Sequence, residues 1–165
     1  MSRSKIFALI TAILFVFGFV MIDSAMAGEK IKWQGTTLTT ETKQIEVGDV
    51  EGHMLMLSKA KQLYILPDGT KLVGDSVSTM DLNPKMKQIS LTGYGWVVDK
   101  DGDKMMRTHE GKPAGEGHWK GTWTFTNGTG KYEGVKGGGT WDMYSMEQGQ
   151  PSFLDIGGEM EMPKQ

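Results

Sequence analysis

From Gly28 onward the chain alternates apolar and polar side chains with a period of two, and no stretch of ten or more residues keeps the 3.6-residue period of a helix. That restricts it to strands joined by turns. The clearest run is His118-Trp-Lys-Gly-Thr-Trp-Thr-Phe-Thr126, in which Trp119, Gly121, Trp123 and Phe125 share one face and Lys120, Thr122, Thr124 and Thr126 the other. A glycine between two indoles suits a strand that must bend or admit a bulky neighbour. The same patterning predicts strands over 30–40, 43–47, 52–59, 62–66, 71–80, 87–98, 104–109, 138–146 and 152–162. Turn chemistry separates many of them: Pro67-Asp68-Gly69, Asn83-Pro84, Asp101-Gly102-Asp103, Asn127-Gly128 and Gln150-Pro151. About eight short strands at close spacing predict an all-β fold, a single antiparallel barrel that closes on itself and so removes its sheet edges.

The first 27 residues read differently. Arg3 and Lys5 precede an apolar run from Ile6 to Ile22, and Ser24-Ala25-Met26-Ala27 places small residues where a signal peptidase cuts. The expectation is a secretory signal peptide over 1–27, a barrel domain over 28–165, and a periplasmic or secreted location with no stable membrane anchor after cleavage. A retained N-terminal anchor is the competing reading, since the run approaches the length that spans a bilayer.

Cleavage would leave 138 residues with a charge of −3, and only Phe125 and Phe153 of the six phenylalanines. A domain of that size can bury enough surface to stand without staples. The absence of cysteine excludes disulfide scaffolds, thiol catalysis and cysteine-ligated zinc. With no basic excess there is little to drive counterion release, so nucleic acid is not an expected partner.

The run Gly121-Thr-Trp-Thr-Phe-Thr-Asn-Gly-Thr-Gly-Lys-Tyr-Glu-Gly-Val-Lys-Gly-Gly-Gly-Thr-Trp141 resembles the signature hairpin of allene oxide cyclase-like and dirigent-like barrel proteins, as found in bacterial secreted members. Gly-Tyr-Gly at 93–95 agrees more weakly. Gly128 and Gly130 would permit the tight turn, Tyr132 would fold back as a plug, and Gly137 to Gly139 would let the returning strand cross closely. The resemblance implies an eight-stranded calycin-like barrel with room for an apolar cavity. It carries no catalytic residues onto this chain, because the matching positions are backbone-demanding ones.

Three constellations could carry chemistry. Asp99, Asp101, Asp103 and Glu110 stand at the first, third, fifth and twelfth positions of a calcium loop. Lys104 replaces the glycine that loop needs, and the flanks read as strands, so a solvated hairpin turn is the plainer reading and no metal is expected. Methionines near histidines (His53 with Met54 and Met56, His109 with Met105 and Met106, then Met143, Met146, Met160 and Met162) could suit Cu(I), yet methionine also fills irregular core gaps. His53, His109 and His118 have no nucleophile motif beside them and read as strand residues rather than general bases.

The function expected is therefore non-catalytic binding of a small apolar or amphipathic ligand, or an accessory role, without a cofactor. Trp119, Trp123, Phe125 and Trp141 are the lining candidates. An isomerase or cyclase acting on an apolar substrate is the alternative, and it requires an ionisable group inside the barrel. An oligomeric interaction module would instead show a contiguous exposed apolar patch.

Overall fold

The structure is a computed structural model that describes residues 28–85, 88–146 and 149–163, so the signal-peptide reading of residues 1–27 lies outside the described residues. Eight strands follow one another in order: β1 (Glu29–Glu46), β2 (Met54–Ile65), β3 (Lys71–Asn83), β4 (Gln88–Val98), β5 (Lys104–Gly115), β6 (His118–Gly128), β7 (Lys136–Tyr144) and β8 (Ser152–Glu161). Each pairs antiparallel with the next, and β1 pairs with β8, from Glu29 opposite Met160 to Thr37 opposite Ser152, to close the barrel. The all-β, eight-stranded closed barrel expected from the alternation is what forms. The only helical element among the described residues is a 3-10 turn, Gly130–Tyr132.

Two expected breaks are absent. Segments 30–40 and 43–47 are one strand, β1, with a bulge between Thr39 and Glu41, and segments 52–59 and 62–66 are one strand, β2. The outward side chains explain the continuity. Glu41 on β1 and Lys59 on β2 form an ion pair of 2.9 Å across the supposed gap, and alternation continues through Ser58, Ala60 and Gln62 on the inner face. Strand β5 also runs past His109 to Gly115, taking in Pro113 beside a second bulge, where a missing N–H is tolerated.

The barrel is filled at one end. Ile31, Trp33, Leu72, Val97, Met105, Phe125 and Val135 are buried there, near the turns that join β2 to β3, β4 to β5 and β6 to β7. Tyr132 packs against this core and its hydroxyl donates to Asp99 at 3.2 Å, so the bend after β6 folds back as the signature hairpin implied. Apolar burial at about 25 cal/mol per Å² makes this closed end the main source of stability. Toward the other end the inward residues become small and polar.

Candidate functional site

That change of polarity has a local cause. Strand β2 carries its leucines outward and its small polar residues inward: Leu55, Leu57, Leu63 and Ile65 are exposed, while Ser58, Ala60 and Gln62 face the lumen. Thr37 and Thr39 of β1 and Ser76 and Ser78 of β3 extend the same hydroxyl-lined wall. Facing it, β6, β7 and β8 supply Trp123, Trp141, Met143, Leu154 and Ile156. Between the walls lies a cavity of about 160 Å³.

Of the four expected lining residues, Trp123 and Trp141 border this cavity, Phe125 lies deeper in the filled end against Trp123, and Trp119 is partly buried against the core. The two indoles lie along the wall rather than across the lumen. Trp123 Nε1 donates to the carbonyls of Thr140 and Gly157, both at 3.2 Å, and Trp141 Nε1 to that of Thr122 at 3.1 Å. Trp141 can lie flat because Gly111 and Gly121 sit beneath it. A Cβ at Gly121 would fall 1.9 Å from the Glu110 carbonyl oxygen and 2.5 Å from the Trp141 ring.

Strand β5 places two nitrogenous side chains in the lumen, Arg107 and His109. Arg107 is only 7% exposed and reaches across to β2, where Nη2 donates to Gln62 Oε1 at 2.9 Å and to the Tyr64 hydroxyl. Its guanidinium carbon also lies 5.1 Å from the centre of the Tyr64 ring, within cation–π range. His109 lies over Gly93, where a Cβ would come within 2.6 Å of Nε2, and meets Ser78 Oγ at 2.9 Å. Burial, with the Arg107 charge in support, pushes the His109 imidazole down to about 4, so it is neutral at pH 7.

Sequence reasoning passed over Arg107, Tyr64, Gln62, Ser76 and Ser78, and set His109 aside as a strand residue. Met105, Arg107, His109 and Gly111 share a phase, but Met106 is equally apolar in the other, so the sequence does not mark which phase faces inward; the burial of Met105 in the structure does.

The other sequence candidates lie elsewhere. Asp99, Asp101 and Asp103 gather around Lys131, whose Nζ reaches Asp99 Oδ2 at 2.5 Å and Asp101 Oδ2 at 3.0 Å and whose N–H donates to Asp103 at 3.3 Å. Asp99 Oδ1 accepts the backbone N–H groups of Asp101 and Asp103. Burial would raise the Asp99 carboxyl, but Lys131 and those amides outweigh it and hold it below the usual range. Glu110 is apart from them, on the outer face, accepting from Thr122 at 3.2 Å. Among the described residues no group of three or more histidine, aspartate or glutamate side chains is placed to hold a metal ion.

The methionines are dispersed, with Met105 in the filled end, Met143 at the cavity and Met160 and Met162 against the core. His53 is gripped at the open end between Asp49 (2.5 Å) and Asp81 (3.0 Å), and hydrogen bonding to Asp49 first, then to Asp81, raises its pKa against the opposing effect of burial. His118 is on the outer face, bonded to Asp142 at 2.8 Å and stacked on Tyr144. Also on the outer face, Leu63, Ile65 and Phe153 are exposed around a shallow groove.

No family model matches the chain, and no curated protein does. Solved structures do match, among them that of a pterocarpan synthase dirigent protein, with a TM-score of 0.53 at 9% identity over 87% of this chain and 94% of that one. At that identity the likeness is one of fold: this chain has the closed eight-stranded antiparallel barrel of a dirigent protein.

Proposed function

We propose that this protein is an exported, non-catalytic barrel that binds one small amphipathic molecule in the lumen between β1–β3 and β6–β8. The observation that carries the reading is the two-sided wall, hydroxyls and an amide on one side and indoles and aliphatic side chains on the other, around about 160 Å³. A cavity of roughly 150 Å³ accepts a benzene-sized molecule. Small-molecule sites combine mostly apolar lining with a few placed polar groups, as this one does. The location is supported by the basic, apolar and small-residue order of residues 1–27.

Native mass spectrometry and thermal shift against phenolic and lipid extracts test the proposal. A retained species of benzene to small-phenol size is expected, and it should be lost in Ala60→Trp, which fills the lumen from β2. Identical adducts on the filled variant, or none on the parent chain, would refute it.

One observation favours a second reading, an isomerase or cyclase: His109 is neutral and hydrogen-bonded to Ser78 inside the lumen, which gives the cavity a candidate base. In that case His109→Gln retains the bound species but abolishes its conversion, monitored by mass or chirality of the product. Turnover that survives the substitution would eliminate His109 from that role.

A further inference from the structure

Arg107 is the only charged side chain in the cavity wall among the described residues, since His109, two positions along, is neutral at pH 7. No ion pair joins it to a carboxylate among the described residues. The nearby acids are committed elsewhere: Asp75 pairs with Lys61 on the outer face, and Asp99 with Lys131 at the filled end. A buried cation without a counter-charge is costly, and proteins rarely keep one unless something neutralises it. Its protein partners here are both neutral, the Gln62 amide and the Tyr64 phenol, and both are served by Nη2. No buried side-chain donor lacks a partner among the described residues, so Nε and Nη1, which donate to neither Gln62 nor Tyr64, are not sealed from solvent. With both Nη2 hydrogens taken by Gln62 and Tyr64, the guanidinium meets a ligand carboxylate through single charge-assisted N–H···O bonds from Nε or Nη1 rather than through a fork.

We infer that the lumen selects a monoanionic aromatic acid, with its carboxylate on Arg107 and its ring between Trp123 and the aliphatic side chains of β8. The inference rests on the ligand-binding reading above and narrows it to one chemical class. The ring is favoured over a long alkyl chain by volume, since about 160 Å³ holds one ring and a short substituent. Trp141 and Trp123 offer indole faces to it, and their N–H groups are already used by backbone carbonyls, so neither competes for the acid. His109, neutral, adds a hydrogen-bonding group without a second charge, so a dianion has no second counter-charge in the lumen.

Benzoate and benzyl alcohol, matched in size and differing in charge, are titrated into the purified protein at pH 7, with indole fluorescence and calorimetry as readouts. Benzoate should bind at least tenfold more tightly than the alcohol. In Arg107→Gln that preference should fall to within twofold while the affinity for the alcohol is kept, and Arg107→Lys should retain part of it. If both probes bind the parent chain equally, the charge inference is overturned and the lumen remains a binding site. If neither binds, the binding reading fails and this inference with it. Should Arg107→Gln not fold, the ratio measured on the parent chain and on Arg107→Lys decides the matter.

Discussion

Replacing His109 by glutamine should remove a pH dependence of stability whose size follows from the structure. The folded imidazole titrates at about 4 because it is buried beside Arg107, whereas an unfolded histidine titrates near 6.5. Between those values the unfolded chain binds a proton that the folded chain refuses. The contribution of His109 is therefore fully present above pH 6.5 and is lost as pH falls toward 4. From pH 7.5 to pH 5 the loss amounts to about 2 kcal/mol, using about 1.36 kcal/mol per unit. The window is well chosen, because Glu41, Asp49, Asp68, Asp99 and Asp101 all have lowered pKa values and titrate below it. His53 works in the opposite sense, but it is common to both proteins and cancels in the difference. Urea unfolding at several pH values, analysed by linear extrapolation, supplies the free energies. Glutamine can still bond Ser78, so an overall offset is irrelevant and only the slope matters. Parallel profiles for the two proteins would refute the assignment of a neutral, buried His109.

His53 gives the mirror case: with its folded pKa raised by Asp49 and Asp81, its contribution is present below pH 6.5 and is lost as pH rises through the folded value. His53→Gln should accordingly flatten the fall in melting temperature above pH 6.5, and an unchanged fall would count against the clamp. Gly121→Ala should destabilise by about 2–3 kcal/mol and shift the indole emission, because the new methyl has neither backbone nor Trp141 clearance; a variant as stable as its parent would show that Trp141 does not lie over Gly121. Asp99→Ala should cost about 2–4 kcal/mol, since two backbone amides, the Tyr132 hydroxyl and Lys131 lose a buried acceptor together; a loss under about 0.5 kcal/mol in chemical unfolding would place that loop in solvent.

The sequence makes the barrel legible wherever apolar residues face inward. Strand β6 is the case in point: Trp119, Gly121, Trp123 and Phe125 share the inner face, and its limits are correct to within two residues. Strand β2 defeats the same reading because its pattern is inverted, with leucines outside and Ser58, Ala60 and Gln62 inside, so the polar middle passes for a loop. The site shares that difficulty. An arginine in an alternating strand is ordinarily a surface residue, and only the cross-barrel partners Gln62 and Tyr64, 45 and 43 residues away, show that Arg107 is not. Those partners converge through closure, which no local pattern records. The glycines show the reverse: Gly93 and Gly121 are visible at once as strand glycines, but the side chains lying over them are not.

The seam between β1 and β8 has a consequence for how the chain reaches this state. Every other ladder joins neighbours through a short connection, whereas this one pairs Glu29 with Met160 and Thr37 with Ser152. Bringing such ends together costs about 2 kcal/mol more in chain entropy than closing a ten-residue hairpin. The meander from β1 to β8 can therefore assemble by successive local zippering, and the seam joins last. Until it does, Trp33 and Ile156, directly opposed across it, have no common core to enter, and two unpaired sheet edges stay open to other chains. A slow refolding phase that is sensitive to Trp33→Leu and to protein concentration, with aggregation competing against it, is the kinetic signature of a barrel that has formed seven of its eight seams.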